Sequence, residues 1–194
     1  MIDERFVYLA VVINFLGSLG YLQETLKGNV RPNKVTWFLW SLAPFIAFAA
    51  EINQGVGLAS FLTFTVGFGT LVIFIASFVN KKAQWEITKF DLICGTLSII
   101  GLILWGLTRV GNLAILFAIL ADALAAIPTV VKSYKAPETE NYKVFLTGGL
   151  SAIITLLTIK QWNFAHYAFP LYILFLCTIL VLLIKFKLGK KFRV

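Results

Sequence analysis

The sequence predicts an all-α polytopic membrane protein of seven transmembrane helices, and three observations predict it. The first is composition: the 194 residues are 59% hydrophobic and only 13% charged, with a mean hydropathy of +0.88. A water-soluble fold of this size needs more polar surface than 17 basic and 9 acidic residues supply, so lipid must be the solvent for most side chains. The second is length: a hydrocarbon core of about 30 Å and a rise of about 1.5 Å per residue require spans of about 20 mostly apolar residues, and seven stretches qualify. The third is the absence of alternating polarity, which a membrane barrel would show; helices alone then satisfy every backbone N–H and C=O within the segment.

Taken in order, the first span is Phe6–Leu26. Met1–Arg5 before it holds two acids and one base, without the basic start and small-residue cleavage site of a signal peptide, so the span is expected to be retained. The others are Val35–Ile52, Gly57–Val79, Asp91–Thr108, Asn112–Tyr134, Val144–Ile159 and Phe164–Phe186, the sixth being the shortest.

Seven spans sort the loops by charge. One face receives Lys27, Arg31 and Lys34, then Lys81, Lys82 and Lys89, then Lys132, Lys135 and Lys143, then Lys185, Lys187, Lys190, Lys191 and Arg193. The other receives only Arg5, Arg109 and Lys160. Adding or removing one helix would scramble this separation. The positive-inside rule puts the basic face in the cytoplasm, the N-terminus outside and the C-terminal tail inside. The net charge of +8 therefore reads as topology signal and as anchorage to anionic headgroups, with no nucleic-acid partner expected. A plasma or inner membrane is the expected location.

A shift of 105 residues superimposes spans one to three on spans five to seven. It aligns Lys27 with Lys132, Pro32 with Pro137, Leu19 with Leu124, Ala47 with Ala152, Phe64 with Phe169 and Leu71 with Leu176. The matched hydropathy and loop pattern carries this repeat more than the identities do. Two triplets joined by span four keep the same orientation, the plan of parallel-repeat transporters. The expected units are 1–80, first triplet; 81–111, linker helix; 112–187, second triplet; and 188–194, a basic cytoplasmic tail. With Ile127-Pro128-Thr129 toward the end of span five, ahead of a basic loop, and Leu22-Gln23-Glu24 in the equivalent place of span one, the chain resembles the SWEET and PQ-loop superfamily of small membrane carriers. The second triplet keeps the proline of the proline–glutamine pair and not the glutamine; in the first, Gln23 stands opposite Pro128. Spans three and seven also lack the central asparagines of SWEET-type sugar carriers, which points away from a sugar.

Among candidate site residues, Asp122 stands out in the middle of span five, flanked by Ala121, Ala123, Ala125 and Ala126. A charged group at the bilayer centre costs at least about 3 kcal/mol, so this acid must face a cavity, find a partner or be protonated. It is read either as a site for a cation, proton or polar solute or as a neutral tie between helices. The resemblance to PQ-loop carriers implies proton coupling. On span one, Asn14, Gly17, Ser18 and Tyr21 form a narrow stripe at i, i+3, i+4 spacing, read as cavity lining or as a close-packing seam. Trp40 lies one turn from Pro44 and is a candidate stacking surface, and Tyr172 is a polar group of span seven. Pro44, Pro128 and Pro170 each remove a helix hydrogen bond, and Gly149 matches Pro44 in the repeat; these four are candidate hinges, static kinks being the alternative.

Trp37, Trp85 and Trp162 read as interfacial anchors, Trp105 as a deeper ring, and His166 as a headgroup-level residue. Cys94 and Cys177 fall within spans as packing residues, with no metal-ligand spacing. No cofactor is expected, and no nucleophile–base pair suggests an enzyme. The expected function is a transporter moving a small polar solute by alternating access, alone or with a proton. The alternative is a non-transporting seven-helix receptor or assembly subunit. Expected partners are the lipid bilayer and the solute, with a proton and a second copy of the chain left open.

Overall fold

The computed structural model of the chain describes residues 2–83, 85–108 and 111–191. The side chains of 101, 104–108 and 191 lie outside the described set, so the readings for Trp105, Arg109, Lys191 and Arg193 fall outside it as well. All regular structure among the described residues is helical: α1 (Phe6–Lys27), α2 (Lys34–Asn53), α3 (Ser60–Ala76), α4 (Lys89–Thr108), α5 (Gly111–Lys135), α6 (Tyr142–Thr158), α7 (Phe164–Lys185) and a four-residue α8 (Leu188–Lys191). Counting a 3-10 turn at Gly57–Ala59 with α3, five of them, α1, α2, α3, α5 and α7, are long and apolar enough to cross a membrane. With 17 residues, α6 spans about 25 Å, short of the hydrocarbon thickness.

Helix ends follow local chemistry. Gly28 closes α1 in the left-handed region (φ 79), where a residue without Cβ is unstrained. The Asn33 carboxamide accepts from the N–H groups of Val35 and Thr36 at 3.1 and 3.3 Å and starts α2. Asn141 and Asn163 do the same for α6 and α7.

The surface is inverted relative to a soluble protein. Large apolar side chains such as Phe175 and Leu16 are 68% and 59% exposed, while Asp122, Glu51 and Lys132 are almost completely buried. Apolar outside and polar inside is what lipid selects, and the chain is built as a multi-pass integral membrane protein.

Helix neighbours are only partly sequential. α1 packs on α3 and α6; α2 packs on α3, α5 and α4; α5 packs on α4 and α7; and α7 packs on α6. These contacts close a ring in the order α1, α3, α2, α5, α7, α6, with α4 outside against α5 and α2. Close approach within the ring depends on small residues: a Cβ on Gly17 would lie 2.8 Å from Thr147 Cβ, and one on Gly69 would lie 2.9 Å from Ser18 Cβ.

The connections gather at two ends. At one, Asn80 Nδ2 donates to Leu26 O at 2.8 Å, Arg31 N to Thr139 O at 2.9 Å, and Lys190 meets Glu138 at 2.9 Å. At the other, Ile2 N donates to Leu157 O at 3.0 Å, Gln54 Nε2 to Asn112 Oδ1 at 3.3 Å, and Lys160 meets Glu4 at 3.2 Å. The first set joins the loops rich in lysine and is called the basic end below.

Candidate functional site

Where α1, α2, α3, α5, α6 and α7 face one another they line a cavity with about 60 Å³ of water-accessible space, several times the roughly 10–15 Å³ that one water needs. Its polar wall is contributed by Asn14 and Ser18 of α1, Trp37 and Trp40 of α2, Thr70 of α3 and Asp122 of α5; Phe145, Gly148, Ile173, Leu176 and Cys177 are among its apolar or small lining. Four of the six residues expected at the site, Asp122, Asn14, Ser18 and Trp40, therefore share one cavity.

Asp122 is held from two sides. Tyr172 of α7 donates its hydroxyl to Oδ2 at 2.6 Å, and Trp40 Nε1 donates to the Asp122 backbone carbonyl at 3.3 Å. Its Oδ1 is buried without a hydrogen-bond partner among the described residues, as are Asn14 Oδ1 and Trp37 Nε1 on the same cavity. Buried polar atoms are satisfied as a rule, and an orphan costs about 1–3 kcal/mol. The residues lining this space thus leave two acceptors and one donor unpartnered.

The Pro44 break shapes the aromatic wall. Without an N–H, Pro44 releases the carbonyl of Trp40, four residues earlier, and the Thr70 hydroxyl of α3 lies 2.6 Å from that oxygen. Trp40 then stands in a run of rings, 5.4 Å from Trp37 and 6.2 Å from Phe145, with Trp37 tilted against Tyr21 at 4.6 Å. Gly148 keeps the opposite wall thin, since a Cβ there would approach Cys177 Sγ to 3.0 Å. Pro44, Pro128, Pro170 and Gly149 are all buried within their helices; a Cβ on Gly149 would touch Cys177 at an ordinary 3.5 Å.

Tyr21 lies on the stripe of α1 and not in the cavity. It reaches toward the basic end and donates its hydroxyl to Glu140 Oε2 at 2.6 Å. Glu140 pairs through Oε1 with Lys132 Nζ, both side chains almost fully buried. Lys132 also donates to the Arg31 carbonyl and lies 5.0 Å over the Trp85 ring. Lys132 is thus no headgroup anchor but one half of a buried ion pair, and Trp37, 1% exposed, is an interior ring rather than an interfacial one. Trp162 is 60% exposed, and the half-buried His166 holds its ring Nδ1 2.6 Å from the Asn163 carboxamide. Thr70 and Gly148, not among the expected site residues, belong to the cavity, as does Trp37, which the sequence reads as an interfacial anchor; Glu140 belongs to the ion pair. The available signal for Trp37 was its i, i+3 spacing to Trp40; Lys132 and Glu140 sit eight residues apart across a helix end, with no periodicity to connect them.

The chain matches no protein-family model, no curated protein and no solved structure.

Proposed function

We propose that the chain is a small carrier that moves a polar solute across the membrane by alternating access. In this reading seven helices span the bilayer as two parallel triplets joined by α4, in the manner of the SWEET and PQ-loop superfamily. The N-terminus lies outside and the C-terminus in the cytoplasm, in a plasma or inner membrane. The observation that carries it is the set of unpartnered polar atoms, Asp122 Oδ1, Asn14 Oδ1 and Trp37 Nε1, facing one cavity. The ring of helices supports the two-triplet division. α1, α3 and α2 are consecutive neighbours, as are α5, α7 and α6, while α1 meets α6 and α2 meets α5 across the boundary, the reciprocal pattern that two copies related by a pseudo-twofold axis produce.

The cavity lies on that boundary, so rocking one triplet against the other changes its access. On the basic side, Glu140 and Lys132 of the second triplet hold Tyr21 and the Arg31 carbonyl of the first; this contact must break for the solute to leave toward the cytoplasm. A carboxylate at Asp122 needs a counter-charge in so apolar a setting, which a cationic solute or a coupling proton supplies.

Purified protein in liposomes should accumulate a small polar solute from a panel of amines, amino acids and organic acids, or move protons. Asp122→Asn, nearly isosteric, should abolish that flux or uncouple it from protons while leaving the unfolding temperature within a few degrees. If the panel stays silent and Asp122→Asn alters only thermal stability, the carrier reading fails and a non-transporting receptor or assembly subunit on the same plan replaces it.

A further inference from the structure

The faces of α2 and α3 that line the cavity continue beyond it, away from the basic end. On α2 the buried positions Trp40, Ala43, Pro44 and Ala47 lead at three- and four-residue steps to Glu51, about 16 Å beyond Trp40 at 1.5 Å per residue. On α3, Thr70 and Val66 line the cavity, and Thr63 follows one turn on. The two faces meet again there: the Thr63 hydroxyl donates to Glu51 Oε1 at 3.1 Å. Glu51 is 1% exposed and Thr63 fully buried, and Glu51 Oε2 has no hydrogen-bond partner among the described residues.

This carboxyl is poorly placed for an uncompensated negative charge. It occupies the last turn of α2, at the negative end of the helix dipole, and no basic side chain lies within ion-pair distance among the described residues. Three side-chain oxygens from Glu51 and Thr63 are too few for calcium or magnesium, which take six or more ligands. A proton requires only one.

Access to the far side lies one layer away. Val56 donates its backbone N–H to the Glu51 carbonyl at 3.1 Å and packs with Ala50, Ala114, Ile115, Ala165 and Ala168 in an apolar cluster. The same Val56 lines a pocket of about 170 Å³ with Glu4, Lys160 and His166 at the end opposite the basic loops. Tyr167 of α7 packs against the cluster; with Glu4, Lys160 and His166 of the pocket it is a titratable group on the far side of Val56 among the described residues, and none of the four hydrogen-bonds Glu51. Among the described residues, the side chain that hydrogen-bonds Glu51 is Thr63 of α3.

We infer that Glu51 is a second proton-binding carboxyl on the same interior seam as Asp122, loaded from the pocket at the less basic end and screened from it by the Val56 cluster. Its place in transport rests on the carrier reading; its proton binding does not. Loading forms one O–H bond at Oε2 with a proton delivered by water from that pocket, and unloading breaks the same bond.

The test is infrared difference spectroscopy on the full chain in phosphatidylcholine vesicles, stepped between acid and alkaline pH. The wild type should show a protonated-carboxyl C=O band that titrates and shifts in heavy water. Glu51→Gln should remove that band and keep the Asp122 band, which also reports correct folding. Thr63→Val should displace it by deleting its hydrogen bond. A Glu51→Gln spectrum identical to wild type, or a Glu51 band that neither titrates nor exchanges, overturns the assignment. A band that behaves as expected in vesicles that move neither solute nor protons sustains the proton site and sinks the carrier reading alone.

Discussion

At the scale of single residues, the most consequential pairing is the one between Lys132 and Glu140. A buried ion pair contributes little net stability against a well-packed apolar replacement, but removing one partner strands the other charge and costs about 3–5 kcal/mol. Lys132→Met should therefore destabilise the protein strongly, and so should Glu140→Leu, whereas the double variant should lose much less than the sum. Reversible unfolding in mixed detergent micelles measures the cycle, and simple additivity would mean that the two groups act independently. Gly17 makes a second case, because a Cβ there meets the Thr147 side chain at 1.8 Å to Oγ1 and 2.8 Å to Cβ. Gly17→Ala should cost about 1–3 kcal/mol by overpacking, and adding Thr147→Gly should return most of it. Such pairings lie largely beyond sequence reading. The polarity of Asp122 in an alanine-rich span announces itself, as does the Asn14–Ser18 stripe, since each breaks an apolar background. Lys132 does not: a lysine at the end of an apolar helix looks the same whether it reaches headgroups or a buried glutamate, and only the fold of the following turn decides.

At the scale of elements, helix positions were legible to within about two residues because apolar runs act locally. The exception is the third span, where Gly57 at φ 70 turns the chain and leaves a 3-10 turn before α3, and where α3 ends at Ala76 with the Ser77 hydroxyl turned back onto Phe74 O at 2.6 Å. Less legible was what a proline does to its neighbours. Pro44 was readable as a break, but its partner Thr70 is 26 residues away on another helix, and only packing brings that hydroxyl to the released Trp40 carbonyl. Thr70→Val should orphan this carbonyl at a cost of about 1–3 kcal/mol. Pro44→Ala restores an N–H able to take the same carbonyl within α2, so in that background Thr70→Val should cost much less. If Pro44 is also a hinge, Pro44→Ala should slow solute flux while holding or raising the melting temperature; a static kink would leave turnover unchanged.

At the scale of the whole molecule, the separation of charge and the two sets of loop contacts are independent lines that meet. The α1–α2, α3–α4 and α5–α6 connections and the α8 segment are tied together by hydrogen bonds and the Glu138–Lys190 pair, and these are the loops that hold most of the lysines. Glu4, Gln54, Asn112 and Lys160 gather at the opposite end. Orientation then becomes a measurable property of the fold. Cys94 and Cys177 are both buried, so a membrane-impermeant maleimide should label the native chain weakly, and a Cys94→Ala, Cys177→Ala background should abolish that signal. In this background, Gln161→Cys should be labelled in intact cells, whereas Lys187→Cys should react only after the membrane is opened. Labelling of both sites from outside would mean an even number of crossings between them. Reversed accessibility would overturn the proposed N-outside orientation, and the Glu51 pocket would then open to the cytoplasm rather than to the exterior. Because α7 is the only long helix between these two positions, with 22 apolar-rich residues and therefore a length of about 33 Å, opposite labelling of the pair is what a full crossing by α7 requires.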